Sequence, residues 1–232
     1  MKRVIVKSLA LFFAALAAYS GYRIWDIGKN YRAEAEIHGL VMAYRPQPAA
    51  ESANRSVTEL REKYPDVAGW LTIPNTNIDY PFVQYKDNAF YLRRDLNGDD
   101  AAAGTLFMDC RCKEDFSSQN TIIYGHHMKN GSMFGALKAF AESEFFAANP
   151  RGAIYLPLET LTLEIFAYLV VKATDEEIYG MEPGENYLAY VKKNARQYRK
   201  IDLKSTDRIV SLSTCAYEFD GARMVLLAVI VK

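Results

Sequence analysis

Three kinds of side chain in the second half of this chain have the chemistry to move an acyl group. Cys215 ends the apolar run RIVSLSTC, and the thiolate is the nucleophilic form of cysteine. His126 and His127 follow the run NTIIYG, where an imidazole can give and take protons near neutral pH. Arg223 stands at the start of RMVLLAVIV, and its planar, permanent cation suits a developing oxyanion or a substrate carbonyl. Each type also has an inert use. Free cysteine is commonly a small buried hydrophobe, a loop histidine pair can simply be solvated, and most arginines are surface charges. Ser213 and Thr214 immediately precede the thiol and could shape a substrate groove beside it, or be ordinary polar strand residues.

Spacing links these residues. The segment AYEFDGA separates Cys215 from Arg223 and contains Asp220-Gly221, a hairpin turn signal. Antiparallel pairing of the flanking runs would bring thiol and guanidinium to the same end of a sheet. Neighbouring side chains on an extended segment point to opposite faces, so only one of His126 and His127 is expected to face such a site.

Other chemistries find less support. Cys110-Arg111-Cys112 is a C-x-C, which is not a zinc-finger spacing, and no second C-x-x-C or H-x3-H accompanies it. No metal site is expected. There is no glycine-rich phosphate loop, no G-x-S-x-G and no H-E-x-x-H.

The elements that must position these residues are mainly β. Half of the 232 residues are hydrophobic and 13% aromatic, which excludes a disordered or collagen-like chain. Lys+Arg and Asp+Glu both number 28. A basic nucleic-acid binder would show a positive excess, so no nucleic-acid partner is expected. Three cysteines are too few for a disulfide scaffold, and the odd count leaves a free thiol. From Val67 onward, short apolar runs alternate with turn residues: VAGWLTI, IDYPFVQ, GTLFMD, NTIIYG, GAIYLPL, LTLEIFAYLVV, RIVSLST and RMVLLAVIV. That rhythm predicts an all-β barrel or sandwich. Helical patterns interrupt it at 132–140 and at 185–200, where Tyr187, Leu188, Val191 and Ala195 share one side.

The N-terminus reads as an export signal and anchor. Lys2, Arg3 and Lys7 precede an uncharged stretch, Ser8 to Tyr22. Counted from Val4 it approaches the roughly 20 residues of a membrane span. Ala15-Leu16-Ala17 fits a cleavage site, whereas Tyr19, Tyr22 and Trp25 fit an aromatic belt and favour a retained anchor. The basic flank places the rest of the chain outside the cell. Residues 26–45 read as a juxtamembrane helix and RPQPAAESANRS (45–56) as a linker. Ser56 and Glu59 have capping-box spacing and open a short helix that Pro65 ends. The expected organisation is an anchor at 1–25, a helical and linker region at 26–64, and a catalytic domain at 65–232.

Taken together, NTIIYGHHM (120–128), SLSTC (211–215) and Arg223 in YEFDGARMV are similar to the signature segments of sortases, with class B the nearest match. NTNIDYPFVQ (75–84), GTLFMDCRC (104–112) and the N-terminal span extend the resemblance over nearly the whole chain. It implies a closed β-barrel of about eight strands, with N-terminal helices and a long helix, here 185–200, before the cysteine strand. It also implies a triad: Cys215 as nucleophile, His126 as general acid/base, Arg223 as oxyanion or substrate-orienting group. Ser211 replaces a threonine usual in the family segment, and His127 stands where relatives often have asparagine. The implied activity is transpeptidation without metal or cofactor. A C-terminal sorting signal of Asn-Pro-x-Thr-x type would be cleaved after Thr through a thioester and passed to an amine of a peptidoglycan precursor or stem peptide. A hydrolytic cysteine protease, a pilin-polymerising sortase and a wall-binding module with an inert Cys215 are the alternatives.

Overall fold

The computed structural model describes residues 2–47, 54–204 and 206–231. The centre of the expected linker, 48–53, lies outside the described residues. The chain divides into two compact units, a helical one up to Leu40 and a larger one from Val41 onward.

The helical unit holds all but the last residue of α1 (Lys2–Val41), an unbroken helix. Its segment Arg3–Lys29 has a mean hydropathy of 1.8 and is long and apolar enough to cross a membrane. No part of that segment is buried within the chain, and Leu11, Phe12 and Trp25 are more than half exposed. An apolar surface on all sides is what a helix surrounded by lipid presents.

In the larger unit, a 3-10 turn (Met42–Tyr44) is followed by α2 (Arg55–Lys63), which stops before Pro65 as expected. The predicted capping box is not formed. The helix starts at Arg55, its N-cap Asn54 makes no side-chain cap bond, and Ser56 lies inside the first turn. The Asn54 amide is used elsewhere, donating to the buried Leu156 carbonyl at 2.6 Å.

All eight predicted strands form. They are β1 (Val67–Thr72), β2 (Asp79–Gln84), β3 (Leu106–Met108), β4 (Asn120–Tyr124), β5 (Arg151–Tyr155), β6 (Thr160–Lys172), β8 (Ile209–Cys215) and β9 (Ala222–Val231); a ninth, β7 (Gln197–Tyr198), was not foreseen. The order β5-β1-β2-β3-β4-β8-β9-β6 closes through β5–β6 pairing into an eight-stranded barrel, with β7 added on β6. Closure removes the free edges of the sheet except along β6 beyond Glu164, where β5 no longer pairs with it. Two pairings, β2–β3 and β4–β8, are parallel.

The helix predicted over 185–200 is shorter. After α4 (Glu176–Tyr179), α5 spans only Tyr187–Asn194, and Ala195 turns extended. The reason is the edge of β6. β5 pairs with β6 only as far as Glu164, and β7 then takes the vacated edge at Ala167 and Tyr168. The Arg196 and Arg199 amides donate to Tyr168 and Phe166 on either side. The 132–140 pattern is a 3-10 helix, Phe134–Ala141, running into α3 (Ser143–Ala148).

Strand alternation sorts the sheet into two faces. Val210 and Leu212 of β8 and Met224, Leu226 and Ala228 of β9 point into the barrel with Phe82, Phe116, Phe134 and Phe140. Ile209, Val225 and Leu227 point outward, under Ile178, Tyr187 and Val191 of α4 and α5. Cys215 and Arg223 share the outward parity.

Candidate active site

β8 and β9 pair antiparallel from Ile209↔Val229 to Cys215↔Arg223. The turn between them closes at Gly221, whose φ of +69° suits glycine. The Ala216 amide donates to the Ala222 carbonyl at 2.9 Å. That makes Ala216 and Ala222 a hydrogen-bonded pair, so Cys215 and Arg223 form the next, non-bonded one. In such pairs the Cα atoms approach to about 4.5 Å and the side chains stand closest together. Thiol and guanidinium therefore leave the same face of the sheet as direct neighbours. Arg223 Nη1 also donates to the Ala222 carbonyl at 2.9 Å, which steadies the guanidinium.

The histidines arrive from the other side of β8. β4 lies parallel to it, with Tyr124 opposite Ser213, and the Gly125 amide donates to the Ser213 carbonyl at 3.1 Å. The chain bends at Gly125, where a Cβ would overlap Leu106 and come within 2.9 Å of the Phe134 ring. His126 and His127 follow immediately and diverge. His126 lines a cleft of about 280 Å3 together with Cys215, Arg223, Ser213 and Tyr179. Its Nε2 lies 2.6 Å from the Leu92 carbonyl. A carbonyl only accepts, so Nε2 carries the proton and Nδ1 is left for exchange. His127 places Nδ1 3.0 Å from the Cys215 carbonyl and rests its ring near Tyr217.

Ser213 and Thr214 also border the cleft but differ in environment. Ser213 shares the outward parity of Cys215, and its hydroxyl is 2.8 Å from that of Tyr179. Thr214 has the inward parity. It is buried, and its hydroxyl has no hydrogen-bond partner among the described residues.

Several cleft residues carried no sequence signal. Tyr179 ends α4 and stacks near Tyr124, ring centroids 6.4 Å apart. Burial pushes its phenol up to about 12, against the opposing pull of Ser213 and Arg223. Burial also raises the Tyr124 phenol, and the Asp109 carboxylate beside it raises it further. Both phenols thus remain hydrogen-bond donors at neutral pH. Leu92 and Asn88 come from the β2–β3 crossover, and the Asn88 side chain is held by the Cys110 amide at 2.8 Å. All three thiols are free. Cys112 is buried beneath β4, and burial pushes its thiol up to about 11, which marks it as a packed side chain. Among the described residues no group of three or more His, Cys, Asp or Glu is placed to hold a metal ion.

The Sortase domain family matches residues 71–231. Sortase B of Listeria monocytogenes is 33% identical over 240 aligned residues, covering 97% of this chain and 96% of the relative. Among solved structures, sortase B of Clostridium perfringens superposes with a TM-score of 0.70 at 35% identity, covering 75% of this chain and 99% of the other. Sortase B of Bacillus anthracis, solved in complex with AAEK1, gives 0.74 at 29% identity, covering 88% and 99%. A family match that includes both strands of the Cys215–Arg223 ladder, full-length similarity and the same closed barrel lead to one conclusion: the chain belongs to the sortase family, in class B.

Proposed function

We propose that this protein is a cysteine transpeptidase that joins the C-terminal sorting signal of exported proteins to a peptidoglycan amine. The observation that carries the reading is the convergence of Cys215, Arg223 and His126 on one cleft, two of them as a cross-strand pair. The Cys215 thiolate attacks the carbonyl carbon of a threonine in a signal of broad Asn-Pro-x-Thr-x type. The Arg223 guanidinium donates to the oxygen as it takes up negative charge, where a planar fork of N–H groups is most effective. His126 gives a proton to the departing amine, and a thioester remains on Cys215. An amino group of a peptidoglycan precursor or stem peptide then attacks the thioester. His126 takes its proton, an amide forms and the thiolate is released.

Ser213 and Thr214 shape the wall beside the thiol. Ser213 does so through its bond to Tyr179, which orients the phenol over the cleft. The apolar segment Arg3–Lys29 supports a single-pass anchor, with the basic N-terminal flank inside and the barrel on the outer membrane surface, where both substrates are found.

The test is mass spectrometry of the enzyme mixed with a small library of sorting-signal peptides, with and without an added amine. A mass increase on the Cys215 peptide matching the segment up to threonine, resolved faster by amine than by water, is the expected result. Acid product alone at saturating amine would make the protein a hydrolase. No adduct with any peptide would remove the assignment.

A further inference from the structure

We propose that His127 is a positioning residue for the nucleophile, its imidazole replacing the main-chain donor that β4 would offer Cys215 if the strand continued. The proposal rests on Cys215 being the nucleophile. The geometry begins with the parallel β4–β8 ladder. In a parallel ladder one strand donates to its neighbour from every second residue. The Gly125 amide donates to the Ser213 carbonyl at 3.1 Å, so the next donor in sequence would be the His127 amide and the next acceptor the Cys215 carbonyl. β4 ends before that bond can form. The backbone turns away at Gly125, His127 enters an isolated antiparallel bridge with Met133, and the Phe134 amide closes the loop on the His126 carbonyl at 3.0 Å.

The Cys215 carbonyl also cannot turn to β9. Cys215 and Arg223 are a non-hydrogen-bonded pair, so the main-chain groups of Cys215 point away from β9, toward the side that β4 has left. There the His127 Nδ1 sits 3.0 Å from the oxygen. Because the carbonyl only accepts, Nδ1 carries the hydrogen. Tyr217, two residues beyond the thiol, lies across the imidazole with ring centroids 5.2 Å apart. Tyr217 is itself placed by its backbone N–H, which donates to the Glu218 carboxylate at 3.0 Å, and that carboxylate is ion-paired with Arg196. One side chain thus ties the last peptide unit of β8 and the loop after it to the segment that carries His126. Such a bond fixes where the thiol points, and its loss should appear in the acylation rate rather than in substrate binding.

Isosteric variants separate this role from general packing. The amide nitrogen of asparagine can occupy the place of Nδ1, whereas that of glutamine reaches only as far as Nε2. In the full-length protein, His127→Asn should keep the single-turnover acylation rate within about twofold of wild type, while His127→Gln and His127→Ala fall about tenfold with KM little changed. Equal rates in the Asn and Gln variants, or an unimpaired Ala variant, would overturn the proposal. Nitrogen NMR of the wild-type protein gives an answer that depends on neither activity nor a variant's folding: His127 should carry its hydrogen on Nδ1, and an Nε2–H tautomer would overturn it. Cys215→Ala is the separate control. Activity in that variant would refute the nucleophile itself, whereas inactivity there with an indifferent His127 series would refute only the positioning role.

Discussion

Asp109 and Tyr124 share a hydrogen bond of 3.0 Å between a carboxylate with no solvent exposure and a phenol on the wall of the cleft. Arg111 grips the same carboxylate with two donors, at 2.9 and 2.8 Å. Burial alone would raise this carboxyl, but the Arg111 and Tyr124 bonds outweigh it and hold the group down at about 2. A depressed carboxyl contributes stability above its unfolded pKa, near 3.8, and loses it as pH falls through the folded value. Asp109→Asn should therefore flatten the fall in urea stability between about pH 4 and about pH 2. At neutral pH it should cost about 2 kcal/mol, below the roughly 3–5 kcal/mol of a fully buried pair because Arg111 can turn to water. An unchanged acid limb in urea titrations would show that the bond is not coupled to folding.

Cys215→Ala removes one sulfur from a half-buried position at the end of β8 and disturbs no core packing. Cleavage of a sorting-signal peptide should vanish while the melting temperature stays within about 2 °C of wild type, as for other substitutions outside a core. Thiol alkylation provides a second measure. Cys110 is exposed, whereas burial disfavours the thiolate of Cys112. In a Cys110→Ser background a soluble reagent should therefore modify Cys215 alone, and peptide cleavage should fall in step with labelling. Labelling of Cys112 in the folded protein would contradict its packing beneath β4.

His126→Ala should lower kcat by about 10²–10⁴, the range of general acid/base catalysis, and the loss should exceed that of His127→Ala. The two residues are neighbours in sequence, but only His126 lines the cleft. Single-turnover rates of thioester formation check the ranking, and a reversed order would transfer the proton-handling role to His127.

Arg223→Lys keeps the charge and loses the fork. A lysine ammonium donates from one nitrogen and lacks the planar fork with which Arg223 holds the Ala222 carbonyl through Nη1 at 2.9 Å while its other nitrogens stay free for a substrate oxygen. Loss of most turnover, about 10²-fold in kcat, is expected, in the range seen on removing an oxyanion donor. Wild-type kinetics in Arg223→Lys would take the guanidinium out of the reaction.

The parts of this site legible in the sequence depended on local signals. The Asp220-Gly221 turn and the two apolar runs beside it were enough to place Cys215 opposite Arg223, and the eight apolar runs were enough for the strands. Where the outcome depended on distant contacts, the sequence was silent or misleading. Residues 195–200 keep a helical pattern, yet the open edge of β6 draws Gln197 and Tyr198 into a strand. Ser56 and Glu59 have the spacing of a capping box, yet the helix begins after Asn54, whose side-chain amide donates to the distant Leu156 carbonyl. Tyr179 is adjacent to no motif and reaches the cleft only because α4 folds over the outer face of β8. That the site lies on the outer face of the barrel follows from strand parity together with closure, and closure is a property of the whole sheet.

Gly125 is the position at which strand geometry and catalysis depend on the same atom. A methyl group there would overlap Leu106 and press on Phe134, two side chains with no exposure that fill the barrel beneath the bend. Neither can withdraw without opening the core, so Gly125→Ala should destabilise by about 1–3 kcal/mol, the usual cost of overpacking. Relief by backbone movement would shift the peptide that carries His126, so peptide cleavage at a temperature where the variant is still folded should fall as well. Gly184→Ala is the control, since a methyl group there meets no atom within 4 Å and should change neither property. Calorimetry and single-turnover assays on the two variants decide the matter. A Gly125→Ala protein with wild-type stability would show that the bend has room to spare, and one with lowered stability but undiminished cleavage would show that His126 is positioned independently of it.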